Sequence, residues 1–172
     1  MRRRLPHHIA YLLLGGNQGD RPALLAQTRE QIVKRVGLLR AQSALYETEP
    51  WGFESIWCFV NQAVCVQTPL EPLELLDVCA DIELSMGRIR TPETDSGYSS
   101  RLMDIDIIFY DDQIIDLPTL VVPHPRMHLR RFVLRPLADI ASNYRHPQLD
   151  ATVAELLDRC EDSCGVWPMP DF

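Results

Sequence analysis

The spacing of apolar residues changes several times along the chain, and each change predicts a different element of secondary structure. Residues 9–14 form a compact apolar run that ends at Gly15-Gly16-Asn17, which predicts a buried strand and a turn. Asp20 then fits a helix N-cap and Pro22 the first helical turn. Apolar residues recur at helical spacing from there to Gly37, so we predict a helix over residues 21–35.

Further elements follow from the same reasoning. Alternating patterns predict strands over residues 38–47, 57–68 and 102–110 and a short return strand over 113–115; helical spacing predicts helices over 72–86, 133–140 and 151–159. The core order is strand, helix, strand, strand, helix, strand. This order predicts an α+β fold: a ferredoxin-like βαββαβ antiparallel sheet with helices packed on one face, plus C-terminal helical additions.

Composition narrows the class of protein. A chain of 172 residues is long enough for one domain with its own core, and a net charge of −7 argues against a nucleic-acid-binding surface. Five scattered cysteines indicate reduced thiols and a cytoplasmic location. No segment approaches the roughly 18 apolar residues of a membrane span, and Pro6, His7 and His8 interrupt the apolar N-terminal region, so we interpret it as a strand rather than a signal peptide.

Two aspartates in the strand predicted over residues 102–110 carry the strongest chemical signal. Asp104 and Asp106 lie two residues apart, so both carboxylates project from one face, roughly 6–7 Å apart. Ile105, Ile107 and Phe109 should then face the core. Two like charges on one face repel unless a cation lies between them, and a hard divalent ion with oxygen ligands fits. The alternative is that the pair only keeps an exposed strand face hydrated.

Many cations surround this acidic pair in a chain that is acidic overall. They precede and follow it in sequence: Arg88, Arg90, Arg101, His124, Arg126, Arg130 and Arg131. This clustering favours an anionic substrate that metal bridges to the carboxylates. Phosphate fits best, because arginine presents a rigid fork of donors to it.

Six segments along the chain carry a further signal: residues 13–17 (LLGGN), 46–52 (YETEPWG), 59–63 (FVNQA), 82–90 (IELSMGRIR), 101–106 (RLMDID) and 123–132 (PHPRMHLRRF). Taken together and in this order, they resemble the 6-hydroxymethyl-7,8-dihydropterin pyrophosphokinase family of folate synthesis. The resemblance covers about residues 9–140 and implies a ferredoxin-like fold in a single pyrophosphokinase domain over 1–172. It also implies that diphosphate passes from ATP to the pterin 6-hydroxymethyl oxygen, with release of AMP.

The resemblance assigns roles to particular residues. Asp104 and Asp106 would bind two magnesium ions that bridge the triphosphate, and Arg88 and Arg101 would engage phosphates and assist transfer. The ATP site would comprise Glu83, Arg88, Arg90, Arg101, His124 and Arg130. The pterin would lie between Phe59 and Phe132, because a flat heteroaromatic ring gains from stacking on both faces. Asn61 would bond its edge, and backbone near Thr48, Glu49 and Trp51, together with Asn17, would complete the pocket.

Each assignment has a structural alternative. Phe59 and Phe132 could be core residues, His124 a turn residue, Arg130 and Arg131 a solvated face, and Glu83 a surface residue that pairs with a nearby arginine. The polar segment at residues 91–100 predicts a mobile loop. An RNA-binding module shares the βαββαβ order, and a non-catalytic ferredoxin-like domain would bind nucleotide without releasing AMP. We expect ATP and the pterin as partners, neither nucleic acid nor membrane, and a monomer.

Overall fold

The computed structural model describes residues 7–49, 58–87 and 102–170. The strands are β1 His8–Gly16, β2 Leu38–Gln42, β3 Tyr46–Thr48, β4 Phe59–Thr68, β5 Asp104–Tyr110, β6 Ile115–Asp116, β7 Val121–Val122 and β8 Val166–Pro168. The helices are α1 Arg21–Arg35, α2 Pro72–Ser85, α3 Arg131–Ala141 and α4 Val153–Arg159, with a 3-10 turn at Met127–Leu129. None of the helices in these ranges is long and apolar enough to cross a membrane.

The main sheet is antiparallel at every pairing in the described part of the chain. Its strand order is β5-β1-β4-β3-β8, and β2 also pairs with β4 beyond the end of β3. The long strands β1 and β4 pair along their whole length, from His8 opposite Thr68 to Gly16 opposite Val60. β6 and β7 form a separate two-stranded sheet. The fold is therefore a mixed α/β arrangement around one antiparallel sheet.

Alternating residues of the strands enter two different cores. On the first face, Leu12, Leu14 and Val64 belong to a core shared with α1 and α2. On the second face, Leu13 and Ala63 belong to a core shared with α3 and α4. The two helices of the predicted core, α1 and α2, thus pack on one face of the sheet, as expected. The C-terminal helices expected as additions are the ones that cover the second face.

Side-chain caps mark the start of α1, α2 and α4, of which α1 and α2 begin at the predicted residues and α4 begins two residues later. Asp20 caps α1, its Oδ1 accepting the Ala23 N–H at 3.1 Å. At α2 the Glu74 side chain accepts the Glu71 N–H at 2.8 Å in a capping box. At α4 Thr152 and Glu155 exchange the equivalent two bonds. Each cap satisfies amide groups that the first helical turn leaves unpaired.

The strand predicted over residues 38–47 is divided in two. Gln42 lies opposite Val64, and Tyr46 lies opposite Asn61. The chain from Gln42 to Tyr46 therefore contains one more residue than the facing stretch of β4 from Asn61 to Val64. Ser43 occupies this bulge, and its hydroxyl accepts the Ala63 N–H at 3.0 Å. The single strand was wrong because alternation in sequence does not reveal one extra residue in a pairing.

A second irregularity moves Phe109 to the other face. The register of β1 with β5 shifts between Tyr11 and Leu12, and Ile108 is the additional residue on β5. Ile105 and Ile107 belong to the first core as expected, but Phe109 belongs to the second. Placing all three on one face was wrong for that reason.

The remaining corrections concern element ends. The short strand expected over 113–115 is Ile115–Asp116, and it pairs with Val121–Val122 rather than returning along β5. The first strand continues through Gly15 and Gly16, which were assigned to a turn.

Candidate active site

A row of cross-strand neighbours crosses the second face near the end of β1. Asp104 on β5 lies opposite Gly15 on β1, Gly15 opposite Asn61 on β4, and Asn61 opposite Tyr46 on β3. Residues paired in this way project from the same side of a sheet. A Cβ at Gly15 would overlap the Asn61 side-chain oxygen, so glycine is what leaves room for the Asn61 amide.

The Asn61 side chain is fixed by a hydrogen bond within the sheet. Its Nδ2 donates to Thr48 Oγ1 at 2.8 Å, and both residues are buried, Asn61 at 4% and Thr48 at 1% exposure. Thr48 lies opposite Phe59, which is half-buried and shares the face of Asn61. Asn17, immediately after β1, is also buried. The structure therefore brings these four predicted pterin residues to one end of the sheet.

The two carboxylates lie on the same face beside this group, as their spacing predicts. Asp104 and Asp106 are opposite Gly15 and Leu13, and both aspartates are half-buried. Leu13 belongs to the second core, so the carboxylates project toward the side of α3 and α4. Behind the strand, burial and then the charges of Glu83 and Asp106 raise the pKa of the Cys79 thiol to about 12.

Glu83 lies behind this strand rather than on the protein surface. Its side chain is on α2 at 3% exposure, and Oε1 accepts the backbone N–H of Ile105 at 2.8 Å. Ile105 separates the two aspartates, and β5 ends the strand order of the sheet. The surface alternative for Glu83 was wrong, because this carboxylate bonds a backbone amide that β1 does not use.

His124 lies in a turn next to β5. Its N–H donates to the Ile108 carbonyl at 3.0 Å, and its Nδ1 accepts the Arg126 N–H at 3.3 Å. Burial lowers the pKa of His124, while the charge of Asp104 opposes that change. The neutral ring with its proton on Nε2 fits these contacts, so Nε2 is a donor. The turn role of His124 is real, and it is compatible with a contact to substrate.

Arg130 and Phe132 lie at the start of α3. Arg130 is the N-cap residue at 5% exposure, and its guanidinium carbon lies 5.7 Å from the centre of the Phe132 ring. Burial lowers the pKa of Arg130 to about 10, with Asp162 opposing, so the side chain stays cationic at neutral pH. Phe132 packs at the margin of the second core.

Arg131 does not belong to a solvated face. Its backbone N–H donates to Asp162 Oδ2 at 2.9 Å, and its guanidinium donates to the carbonyls of Asp162 and Cys160 at 3.0 and 3.2 Å. Glu49 is exposed, and its carboxylate accepts the Gly165 N–H at 2.9 Å. No local pattern predicts these contacts with the C-terminal segment, because they depend on how the chain returns to the sheet.

Several predicted residues lie outside the described part of the chain. They are Trp51, Arg88, Arg90 and Arg101, together with the loop expected at residues 91–100. Within residues 7–49, 58–87 and 102–170, no three side chains among His, Cys, Asp and Glu form a group that could hold a metal ion. Two carboxylates with substrate phosphates and water remain a suitable oxygen ligand set for magnesium.

The sequence did not single out Gly15, which lies beside Asn61, or Asp162, which contacts the start of α3. Gly15 was placed in a turn, yet it follows Leu13 by two residues and shares its face. Extending the alternation of β1 by one step would have found it. Asp162 lies in a segment without periodicity, so only the tertiary contacts reveal it.

Fold and site define a class: an α/β protein whose sheet carries two carboxylates beside buried polar side chains, with a buried arginine at the start of the helix that packs on the same face. The chain matches the family model of 7,8-dihydro-6-hydroxymethylpterin-pyrophosphokinase over residues 11–142. It therefore belongs to this family of enzymes. The family membership decides against the RNA-binding module.

Individual relatives agree with this assignment. The chain is 42% identical over 142 residues to the 2-amino-4-hydroxy-6-hydroxymethyldihydropteridine pyrophosphokinase of Porphyromonas gingivalis, which covers 81% of this chain and 95% of the relative. It is 38% identical over 150 residues to the enzyme of that name from Bacillus subtilis, covering 87% and 86%. The crystal structure of Plasmodium falciparum HPPK-DHPS is similar in fold, with a TM-score of 0.73 at 19% identity. That match covers 91% of this chain and 45% of the Plasmodium chain.

Proposed function

We propose that the protein transfers diphosphate from ATP to the 6-hydroxymethyl group of 6-hydroxymethyl-7,8-dihydropterin, releasing AMP, in tetrahydrofolate biosynthesis. The observation that carries this proposal is the cross-strand row of Asp104, Gly15 and Asn61 in a chain of this family. A phosphate-binding carboxylate and a ring-binding amide are then separated by one glycine. The two substrates would meet over that glycine.

The proposal includes the finer fold. If β2 and β3 are counted as one interrupted strand, the elements up to β5 occur along the chain as strand, helix, strand, strand, helix, strand. In the sheet, these strands lie in the order β5-β1-β4-β2/β3. This supports a ferredoxin-like core, to which α3, α4 and β8 are added. We also propose that residues 1–172 act as one pyrophosphokinase domain.

Asp104 and Asp106 would hold two magnesium ions together with the triphosphate. The fit rests on their common face, their half-buried positions and the preference of magnesium for carboxylate oxygen. When bound, magnesium would neutralise charge that develops on the phosphate oxygens. We propose that Glu83 holds the strand between the aspartates through its bond to Ile105 and so keeps the carboxylates in place.

Transfer requires the pterin hydroxymethyl oxygen to attack the β-phosphorus of ATP in line with the departing AMP oxygen. The new bond joins that oxygen to the β-phosphorus, the bond from the β-phosphorus to the bridging oxygen breaks, and the hydroxyl proton passes to water. Arg88 and Arg101 would stabilise the charge of the transferring group, since guanidinium groups form paired bonds to phosphate oxygens. Positioning of the two substrates supplies the remaining contribution.

The nucleotide would also contact Arg90, His124 and Arg130, with Glu83 bordering its site. His124 supports this role because its Nδ1 is engaged by a backbone amide, which leaves Nε2–H as the donor. Arg130 remains charged although it is buried, so it provides a fixed cation for an anionic ligand. Such a preorganised cation costs no reorganisation when phosphate binds.

The pterin would stack between Phe59 and Phe132 and bond Asn61 along its edge. Thr48 would fix the amide of Asn61 by accepting from its Nδ2. The other members of this pocket would be Asn17, Glu49 and Trp51. We further propose a monomer in the cytoplasm, where the five free cysteines would remain reduced.

The test is incubation of the purified protein with ATP, magnesium and the reduced hydroxymethylpterin, followed by chromatography of the nucleotides. We expect AMP and pterin diphosphate in equal amounts and neither product when EDTA removes the metal. Formation of ADP instead of AMP would contradict diphosphate transfer. Nucleotide binding without any product would indicate the non-catalytic alternative.

A further inference from the structure

The chain beyond the family match returns to the candidate site. The match ends at residue 142, and α4 then leads into residues 160–169, which we name the strap. The strap passes the start of α3 and ends as β8 along the free side of β3. It thus contacts β3 and α3, two of the elements to which pterin-binding residues are assigned.

The first contact is at the N-terminus of α3. Asp162 Oδ2 accepts the Arg131 N–H at 2.9 Å, and Oδ1 accepts the Cys164 N–H at 3.0 Å. The Arg131 side chain returns two bonds to strap carbonyls. Arg131 stands between Arg130 and Phe132 in sequence, so this contact fixes the backbone from which both project. A carboxylate is also favourable at a helix N-terminus.

The second contact is with β3, which has only three residues. Its Thr48 lies opposite Val166 of the strap, the Glu49 N–H donates to the Gly165 carbonyl at 3.1 Å, and the Met169 N–H donates to the Leu45 carbonyl at 2.8 Å. By the alternation of an antiparallel ladder, Glu47 and Trp167 are the hydrogen-bonded pair between these two bonds. Without the strap, β3 would be a short edge strand held from β4 alone.

β3 matters to the pocket through one side chain. Thr48 Oγ1 accepts the Asn61 amide at 2.8 Å, so a displacement of β3 changes the direction in which Asn61 presents its amide. Movement at α3 would displace Phe132 from the opposite side of the ring. Hydrogen bonds of this kind weaken steeply when the angle changes, so small displacements matter.

We propose that the strap positions the pterin pocket, with Asp162 as the positioning residue for α3 and the Trp167 backbone as the positioning group for β3. The strap itself does not touch the substrate in this proposal. The inference rests on the pterin-pocket assignment made above. It predicts that loosening either contact lowers pterin affinity more than ATP affinity.

The experiment compares two variants with two matched controls. Asp162→Ala removes the acceptor for Arg131, and Glu161→Ala removes the exposed neighbouring carboxylate. Trp167→Pro removes the N–H that faces β3, and Trp167→Ala removes the same side chain while keeping that N–H. Calorimetry measures binding of 6-hydroxymethylpterin in the presence of a nonhydrolysable ATP analogue, at a temperature where circular dichroism shows every variant folded. Binding of the ATP analogue alone is measured in parallel.

We expect Asp162→Ala and Trp167→Pro each to raise the pterin Kd on the order of fivefold, judging from the loss of a helix cap. The two controls should bind pterin normally, and the Kd for the ATP analogue should change less than the Kd for pterin. A lower unfolding temperature with an unchanged pterin Kd would contradict the proposal, because it would show that the strap contributes to stability alone. If Trp167→Pro does not fold, the result for Asp162→Ala decides.

Asn61→Ala separates this failure from that of the pocket. If Asn61→Ala weakens pterin binding while both strap variants bind pterin normally, the proposed role of the strap is wrong and the pocket assignment stands. If Asn61→Ala binds pterin normally, the pocket assignment is wrong, and the proposed role of the strap is wrong as well.

Discussion

The two faces of the sheet use the same strands for different purposes. On the first face, Leu12, Leu14, Val60 and Val64 meet α1 and α2 in a continuous apolar core. On the second face, an apolar half with Leu13 and Ala63 packs against α3 and α4, while the other half carries Asp104, Asp106, Gly15, Asn61 and Phe59. Because successive residues of a strand point to opposite faces, the side chains that stabilise the fold and those of the candidate site alternate along the same strands. Substitutions on the first face should affect folding, and those on the polar half of the second face should affect activity.

The largest effect on activity should come from the carboxylates. Asp104→Ala or Asp106→Ala should reduce AMP release about a thousandfold, because the charge stabilisation from a bound metal is worth several kcal/mol. The free energy of unfolding should change by less than about 1 kcal/mol, since one of two repelling charges is lost. Assays at saturating magnesium and urea unfolding measure the two quantities. Asp112→Ala, at an exposed position in the turn after β5, is the control; near-normal activity of either site variant would remove the metal assignment.

The opposite result should follow from a neighbour of the same strand on the first face. Ile107→Ala should lower the free energy of unfolding by about 2–5 kcal/mol, because it leaves a cavity in the first core. The activity of the molecules that remain folded should stay close to that of the parent protein. Urea unfolding and an AMP assay at low temperature measure these effects. The control is Ile114→Ala, whose parent side chain is 55% exposed; equal losses of stability in both variants would show that the first face is not a tightly packed core.

The boundary between the two halves of the second face can be tested at Gly15. Gly15→Ala should weaken pterin binding by about 1–3 kcal/mol. The added methyl group displaces the Asn61 amide, which then no longer points in the direction that its hydrogen bonds require. Asn61→Ala should weaken binding by a similar amount. The double variant should bind no worse than Asn61→Ala alone, since the methyl group then has no amide to displace. Additive losses, measured by calorimetry, would show that the two residues act independently.

The smallest effect should be the pH dependence of the apolar half. His146 is buried near Phe109 of the second core, and its Nδ1 accepts the N–H groups of Gln148 and Leu149, both at 3.1 Å. Burial lowers the pKa of His146 below its usual 6.5, so the folded state prefers the neutral ring. The resulting stabilisation is complete above pH 6.5 and is lost as the pH falls below it.

Unfolding curves of the parent protein and of His146→Asn measure this effect. Asparagine keeps an acceptor for the two amide groups but does not titrate. The parent protein should lose more stability than the variant between about pH 7.5 and about pH 5.5, roughly one unit on either side of the usual histidine pKa. Identical pH profiles would show that His146 is not responsible.

Much of the fold followed from local patterns, and the misplaced parts share one cause. The helices α1 and α2 were predicted to within one residue, because caps and apolar spacing act within a few turns. Phe109 was assigned to the wrong face and the strand over 38–47 was left undivided, because a bulge depends on two paired strands. The return strand after β5 was misplaced because its partner, Val121–Val122, lies further along the chain.

The candidate site shows the same division. The common face of Asp104 and Asp106 followed from their spacing, since a strand repeats every two residues. The burial of Glu83 and its bond to Ile105 could not be predicted, because the two residues lie 22 positions apart in the sequence. Arg131 was taken for a solvated residue because its partner Asp162 lies 31 positions away.

By itself, the sequence determined the element types, the acidic pair and the family, because local periodicity and ordered motifs are properties of consecutive residues. Only the tertiary structure decided that helices cover both faces, that Gly15 makes room for Asn61, and that the C-terminal segment returns to hold β3 and α3. These features arise where distant residues meet. Their position is set by register, bulges and backbone hydrogen bonds, which no short stretch of sequence contains.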